Sequence, residues 1–260
     1  MNARAGAVRP VTITPVTAIG EVAPGAPLAT LIVAGLSEAG LSVQPCDIIV
    51  VTSKIVSKAE NRFARLVDVV VTPHAVEIAA ITRKDPRLVE LVLAQSIDVV
   101  RAAPHVLITR HRLGLVMANA GIDQSNLGPG EPDRVLLLPE APDASASALR
   151  DEFQALVGTA PAVVIIDSFG RPWRHGVVAV AIGASGWPAL LDRRGELDRD
   201  GRLLEVTQVA LADMVANAAG LVMGEGAEGV PVALVRGFGA VGEDCPAASL
   251  VRPIEQDLFR

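Results

Sequence analysis

The sequence contains no tyrosine, and its few Phe and Trp residues bring the aromatic content to only 3% of 260 residues. Base-stacking platforms for single-stranded nucleic acid need rings, so that function is disfavoured by composition. Cysteine is almost as scarce: Cys46 and Cys245 stand far apart and form no CxxC pair. Two lone thiols suit a reducing cytoplasm and provide no thiolate metal site. Positive charge is short as well, with 23 Lys and Arg against 29 Asp and Glu, and the net charge is −6. A bulk electrostatic grip on nucleic acid or anionic lipid is not expected, so any polyanion must be held by a local patch or a metal. Long apolar runs are missing. One of the two longest uncharged stretches, 176–191, is broken by glycines, Ser185 and Pro188, and is shorter than the roughly 20 apolar residues of a membrane helix. The N-terminal stretch offers no uninterrupted apolar segment of the targeting kind. These absences point to a soluble cytoplasmic protein that binds neither nucleic acid nor membrane.

Familiar catalytic signatures are also absent. No GxxxxGK[ST], HExxH or GxSxG sequence occurs, so no P-loop, zincin or nucleophile-elbow motif is present. His74, His105, His111 and His175 show no metal-ligand spacing, and the turn Arg110-His111-Arg112 reads as a solvated hairpin tip.

What the chain does have is a 50% hydrophobic, 20% charged composition, that of a globular protein with a core of Val, Leu, Ile and Ala. Length alone fits one large domain or two small ones; with no repeat or low-complexity linker, 1–260 is read as a single domain. Residues 26–40 have helical spacing, with Pro27 at the start and Gly40 at the end. Residues 47–53 are a short β-branched run, read as a buried strand. Thr72-Pro73 and Asp85-Pro86 each pair a capping residue with proline and predict two helix starts. Strands are expected at 105–110, 114–120, 135–139, 162–167, 177–183, 188–192 and 230–237, and helices at 143–158 and 205–222. Strands and helices mix without strict alternation, which predicts an α+β fold with mixed sheets.

Four segments carry chemistry. AGIDQSN (120–126) offers Asp123, Ser125 and Asn126, although these residue types also favour plain turns. DSFGRPWRH (167–175) places Asp167 and Ser168 after an apolar strand; carboxylate plus hydroxyl suits Mg²⁺ or Mn²⁺. Arg171 and Arg174 in the same segment suit a carboxylate or phosphate. SKIVSK (53–58) puts Lys54 and Lys58 on one face if it is helical, either to attract phosphate or as a solvated surface. GEGAEG (224–229) matches GxGxxG, but it follows a helix and precedes a strand, the reverse of a dinucleotide fold. Together these segments describe a metal-assisted enzyme that handles nucleotides or phosphates.

The segments VVTSKIVSKAENR, ITRHRLGLVMANAGIDQSN, IIDSFGRPWRHG and VMGEGAEGVPVALVRG, in that order, resemble the coenzyme F420-0:L-glutamate ligases (CofE-like γ-glutamyl ligases) in their stand-alone form, over about 19–237. The resemblance implies an α+β fold that forms an intertwined homodimer. It implies GTP-dependent joining of L-glutamate to the deazaflavin precursor F420-0 through an acyl phosphate, with further γ-linked additions and release of GDP and phosphate. Mn²⁺ or Mg²⁺, with K⁺ as a helper ion, would be the cofactors. Asp123, Asp167, Ser168 and Glu225 would be metal ligands, and Ser53, Lys54, Lys58 and Asn126 would bind the nucleotide. The turn Ala18, Ile19, Gly20, Glu21 would meet guanine or ribose through its backbone. Arg171 and Arg174 are assigned to anionic substrate groups. A related ligase with another acceptor, or a non-catalytic nucleotide-binding homologue, would share these residues.

Overall fold

Apolar β-branched stretches become strands and the proline-headed stretches become helices in the computed structural model, which describes residues 10–130, 132–239 and 242–257. The N-terminal reading above rests partly on residues 1–9, which lie outside the described residues. The chain runs through β1 (Thr12–Val16), α1 (Leu28–Glu38) and β2 (Ile48–Thr52), which passes directly into α2 (Ser53–Ala59). Next come β3 (Phe63–Arg65), α3 (Pro73–Thr82), α4 (Pro86–Ala94), β4 (Ser96–Ala103), β5 (Val106–His111) and β6 (Val116–Ala118). β7 (Arg134–Leu136), α5 (Pro142–Val157), β8 (Ala162–Arg171) and β9 (Arg174–Ser185) follow. The last elements are β10 (Leu190–Asp192), β11 (Gln208–Ala210), α6 (Leu211–Met223) and β12 (Val232–Arg236).

The main sheet has the order β1-β12-β2-β8-β9. Only β2 and β8 pair in parallel; the other neighbours are antiparallel. This is the mixed α+β arrangement expected. Period-2 alternation explains its two faces. Ile49 and Val51 of β2 point toward α1 and α5, whereas Ile48 and Val50 point toward α6. Each large side chain buried in this way contributes roughly 1.5–3 kcal/mol. A third apolar cluster lies apart, where α3, α4 and the sheet β4-β5-β6 enclose Leu88, Val92 and Leu107.

Both proline-headed helices are capped as their sequences require. Thr72 Oγ1 accepts from Ala75 N at 3.3 Å, and Asp85 Oδ1 accepts from Arg87 N at 2.8 Å. Asp143, at the expected start of α5, reaches outward: its carboxylate accepts from the backbone N–H groups of Ala184, Ala247 and Ala248. Asp213 likewise accepts from Ala181 N. These acids bracket Ile182, the residue at which β9 slips register against β8, and so satisfy donors beside an irregular ladder. Gly183 is required there, because a Cβ would lie 2.4 Å from the Pro142 carbonyl oxygen.

Several expectations are corrected. The helix expected from 205 begins at Leu211, because Gln208–Ala210 pair with β10. Strand 135–139 ends at Leu136; Leu137 N turns to donate to Arg62 O. The 162–167 strand continues to Arg171 and folds back as a long hairpin, so Asp167 and Ser168 lie within a strand and not at its end. β1 and β4 were not expected from the sequence. His111 is no solvated tip: it is fully buried, and Nδ1 accepts from Leu113 N at 3.1 Å. Burial first, then Arg112 and Arg62, depress its pKa to about 4, so it is neutral at physiological pH. No helix among the described residues is long and apolar enough to cross a membrane.

Candidate active site

The passage from β2 into α2 sets up the site. Thr52 is extended and Ser53 is the first helical residue, and Ser53 and Lys54 line a cleft of about 1580 Å³. One helical turn further on, Lys58 lines the same cleft. The solvated-face alternative does not hold for it: Lys58 is only 4% exposed, and its ammonium pairs with Glu21 Oε1 at 2.5 Å. That ion pair anchors the 18–21 turn beside α2. Ile19, Gly20 and Glu21 line the cleft, whereas Ala18 is exposed and is not part of the lining.

Asp123 comes from the segment that follows β6. Asn119, Ala120 and Gly121 in succession adopt positive φ of 51°, 52° and 68°, a reversal that only glycine makes without strain. The chain then forms a bridge to Leu136 through paired backbone hydrogen bonds of 2.9 Å, which fixes Asp123. Its carboxylate meets Lys54 Nζ at 3.4 Å, and the same ammonium donates to Ser125 O at 3.1 Å. Asp167 accepts from Ser53 Oγ at 3.3 Å. Ser168 Oγ donates to Glu225 of the 224–229 loop, and Asn126 Nδ2 donates to Gly226 O at 3.3 Å. Two loops, strand β8 and one helix N-terminus are thereby tied into one ring of contacts.

The electrostatics follow from this convergence. Burial raises the pKa of Asp123, against the opposing pull of Lys54. Asp167 is raised further, to about 7, first by burial and then by repulsion from Asp123. The two carboxylates therefore sense each other, and Lys54 acts on both while Lys58 acts on Asp123. Such a pair lacks positive charge, and with the neighbouring hydroxyls of Ser53 and Ser168 it is a hard-oxygen donor set that suits Mg²⁺ or Mn²⁺. Among the described residues, no three His, Cys, Asp or Glu side chains gather closely enough to hold an ion alone. A cation here would need hydroxyl, water or phosphate oxygens to complete its shell.

Of the two arginines of the 167–175 segment, Arg171 lines the cleft, and its Nε is buried without a hydrogen-bond partner. Arg174 is exposed at the start of β9 and does not line the cleft. Two further residues of the cleft lining, Arg101 and Glu228, have no individual role assigned from the sequence. Glu228 was visible in the 224–229 loop, where it accepts from Gly226 N at 2.7 Å. Arg101 carried no motif.

Carboxylates, hydroxyls and lysines gathered in one large cleft on an α+β scaffold form a candidate active site. The family follows from comparison with known proteins. The model of the F420-0:gamma-glutamyl ligase family matches residues 17–237. Coenzyme F420:L-glutamate ligase of Methanopyrus kandleri is 42% identical, covering 98% of this chain and 100% of that protein. The protein of the same name from Methanothermobacter thermautotrophicus is 43% identical over 92% of this chain and 94% of its own length. That from Halobacterium salinarum is 43% identical over 82% and 83%. The chain belongs to the F420-0:gamma-glutamyl ligase family.

Proposed function

We propose that this protein is a coenzyme F420-0:L-glutamate ligase that uses GTP, forms γ-glutamyl amides and works as a homodimer. The observation that carries the reading is the meeting of Asp123 and Asp167 beside Lys54 in one cleft, in a chain matched by the family over most of its length. A carboxylate is a poor acyl donor until one of its oxygens is phosphorylated. The γ-phosphoryl group passes from GTP to the acceptor carboxylate, leaving GDP. The glutamate amine then attacks the acyl carbon, the C–O bond breaks, phosphate leaves and the amine loses a proton.

The chain's residues do the holding. Lys54 and Lys58 bind phosphate oxygens, with Glu21 releasing Lys58 when the nucleotide arrives. Ser53 and Asn126 position the nucleotide, and Ile19 and Gly20 offer backbone groups to its base or ribose. Asp123 and Asp167, with Ser168 and Glu225, would hold Mn²⁺ or Mg²⁺, and K⁺ is a further helper ion. The divalent ion supplies Lewis-acid neutralisation of phosphate charge. Holding two anionic substrates side by side converts a repelled encounter into an oriented one. Arg171 faces the anionic substrates from the hairpin.

The test is a drop-out assay read by mass spectrometry. With F420-0, L-glutamate, GTP and Mn²⁺ present, products should appear spaced by glutamyl units, with GDP released, and omission of any one component should stop both. GDP release with another carboxylate acceptor but not with F420-0 would instead mark a related ligase. No nucleotide turnover with any acceptor would mark a non-catalytic homologue.

A further inference from the structure

The cleft is larger than the roughly 300–1,000 Å³ typical of a site for one small ligand, and the residues assigned above account for only part of its wall. Another part is the outer face of the sheet β4-β5-β6, where Val100, Ile108 and Val116 present an apolar surface together with Arg101.

Arg101 is there because of a β-bulge. Val99 pairs with Thr109 and Arg101 with Ile108, so two steps along β4 match one step along β5 and Val100 is the extra residue. In an unbroken ladder Arg101 would pair with Leu107, which is 1% exposed in the apolar cluster beneath the sheet. The bulge turns the guanidinium to the opposite, cleft-lining face and lets Ala102 take the place beside Leu107. Arg101 is exposed, and its guanidinium has no hydrogen-bond or ion-pair partner among the described residues.

We propose that Arg101 is a specificity-determining residue for the acceptor, binding an anionic group on its chain while the apolar wall of β4-β5-β6 receives its ring system. This rests on the ligase reading above. The nucleotide phosphates already have Lys54 and Lys58 on the α2 side, and glutamate has no apolar ring to cover Val100, Ile108 and Val116. The acceptor combines a flat ring system with an anionic chain, and a planar guanidinium fits carboxylate or phosphate oxygens in bidentate fashion.

The test compares wild type with Arg101→Gln and Arg101→Lys. Equilibrium binding of fluorescent coenzyme F420 is measured by anisotropy, and KM is measured for acceptor, GTP and glutamate. The residue is exposed, so both variants should fold, which a melting curve checks. The expected result for Arg101→Gln is a loss of about 10- to 100-fold in acceptor affinity and a matching rise in acceptor KM. KM for GTP and glutamate should stay at wild-type values. Arg101→Lys should fall between, because it keeps the charge and loses the fork. Unchanged acceptor binding, or a rise confined to the KM of GTP or of glutamate, overturns the assignment. Failure of the wild type itself to ligate would instead refute the ligase reading, and the binding arm would still judge Arg101.

Discussion

Asp167 is the residue at which burial and chemistry conflict most. Its carboxyl is raised to about 7 by burial and by Asp123, so the folded chain holds a proton that the unfolded chain releases near pH 4. Stability of the metal-free protein should therefore decline as pH rises from about 4 through 7 and level off above. Asp167→Asn removes this dependence. It should stabilise the metal-free protein at pH 8 by about 1–3 kcal/mol, the scale of an ill-satisfied buried polar group, while abolishing ligation. Denaturant midpoints at pH 5 and pH 8 check this: equal wild-type midpoints, or a variant less stable than wild type at pH 8, contradict it. Ala120, with φ 52° and 1% exposure, shows a similar trade of strain for position, since the reversal at 119–121 is what aims Asp123 into the cleft.

At the scale of elements, one ion pair reinforces the join between β12 and the start of β2 beside their backbone ladder. Arg236 donates to both oxygens of Asp47, at 2.8 and 2.7 Å, and to Ser42 O at 2.7 Å. Asp47 is 1% exposed. Removing the cation leaves a buried carboxylate with only the Gln44 backbone N–H as a partner, so Arg236→Ala should cost about 3 kcal/mol. The drop in urea midpoint measures it, and a loss under about 1 kcal/mol would show the pair to be dispensable. The same scale explains what was legible in the sequence. β2, β8, β12, α3, α4 and α5 follow from β-branched runs or from Thr72, Asp85 and Gly158 as end signals, because local propensity and tertiary context agree there. β1 hid behind Pro15, which an edge strand tolerates. β4 hid behind a bulge that breaks period-2 alternation. Which way Arg101 points is decided by pairing with β5, not by its own neighbours in the sequence. The candidate ligands Asp123, Asp167 and Ser168 were readable as residue types in polar segments after apolar runs. Their convergence was not, because nothing local encodes which distant loops a sheet brings together.

For the molecule as a whole, α2 and the β8-β9 hairpin of the mixed sheet meet the 123–126 loop, which follows β6, and the 224–229 loop at one cleft. The central claim is that two of those elements jointly hold a divalent ion against a nucleotide. Electron paramagnetic resonance of Mn²⁺, titrated with protein in the presence of GDP, tests this most directly. Wild type should bind the ion in a GDP-dependent way. Asp123→Asn and Asp167→Asn should each weaken Mn²⁺ binding at least about 10-fold, the scale of one lost charged contact, while GDP alone still binds. Mn²⁺ affinity equal to wild type in both variants would contradict the account.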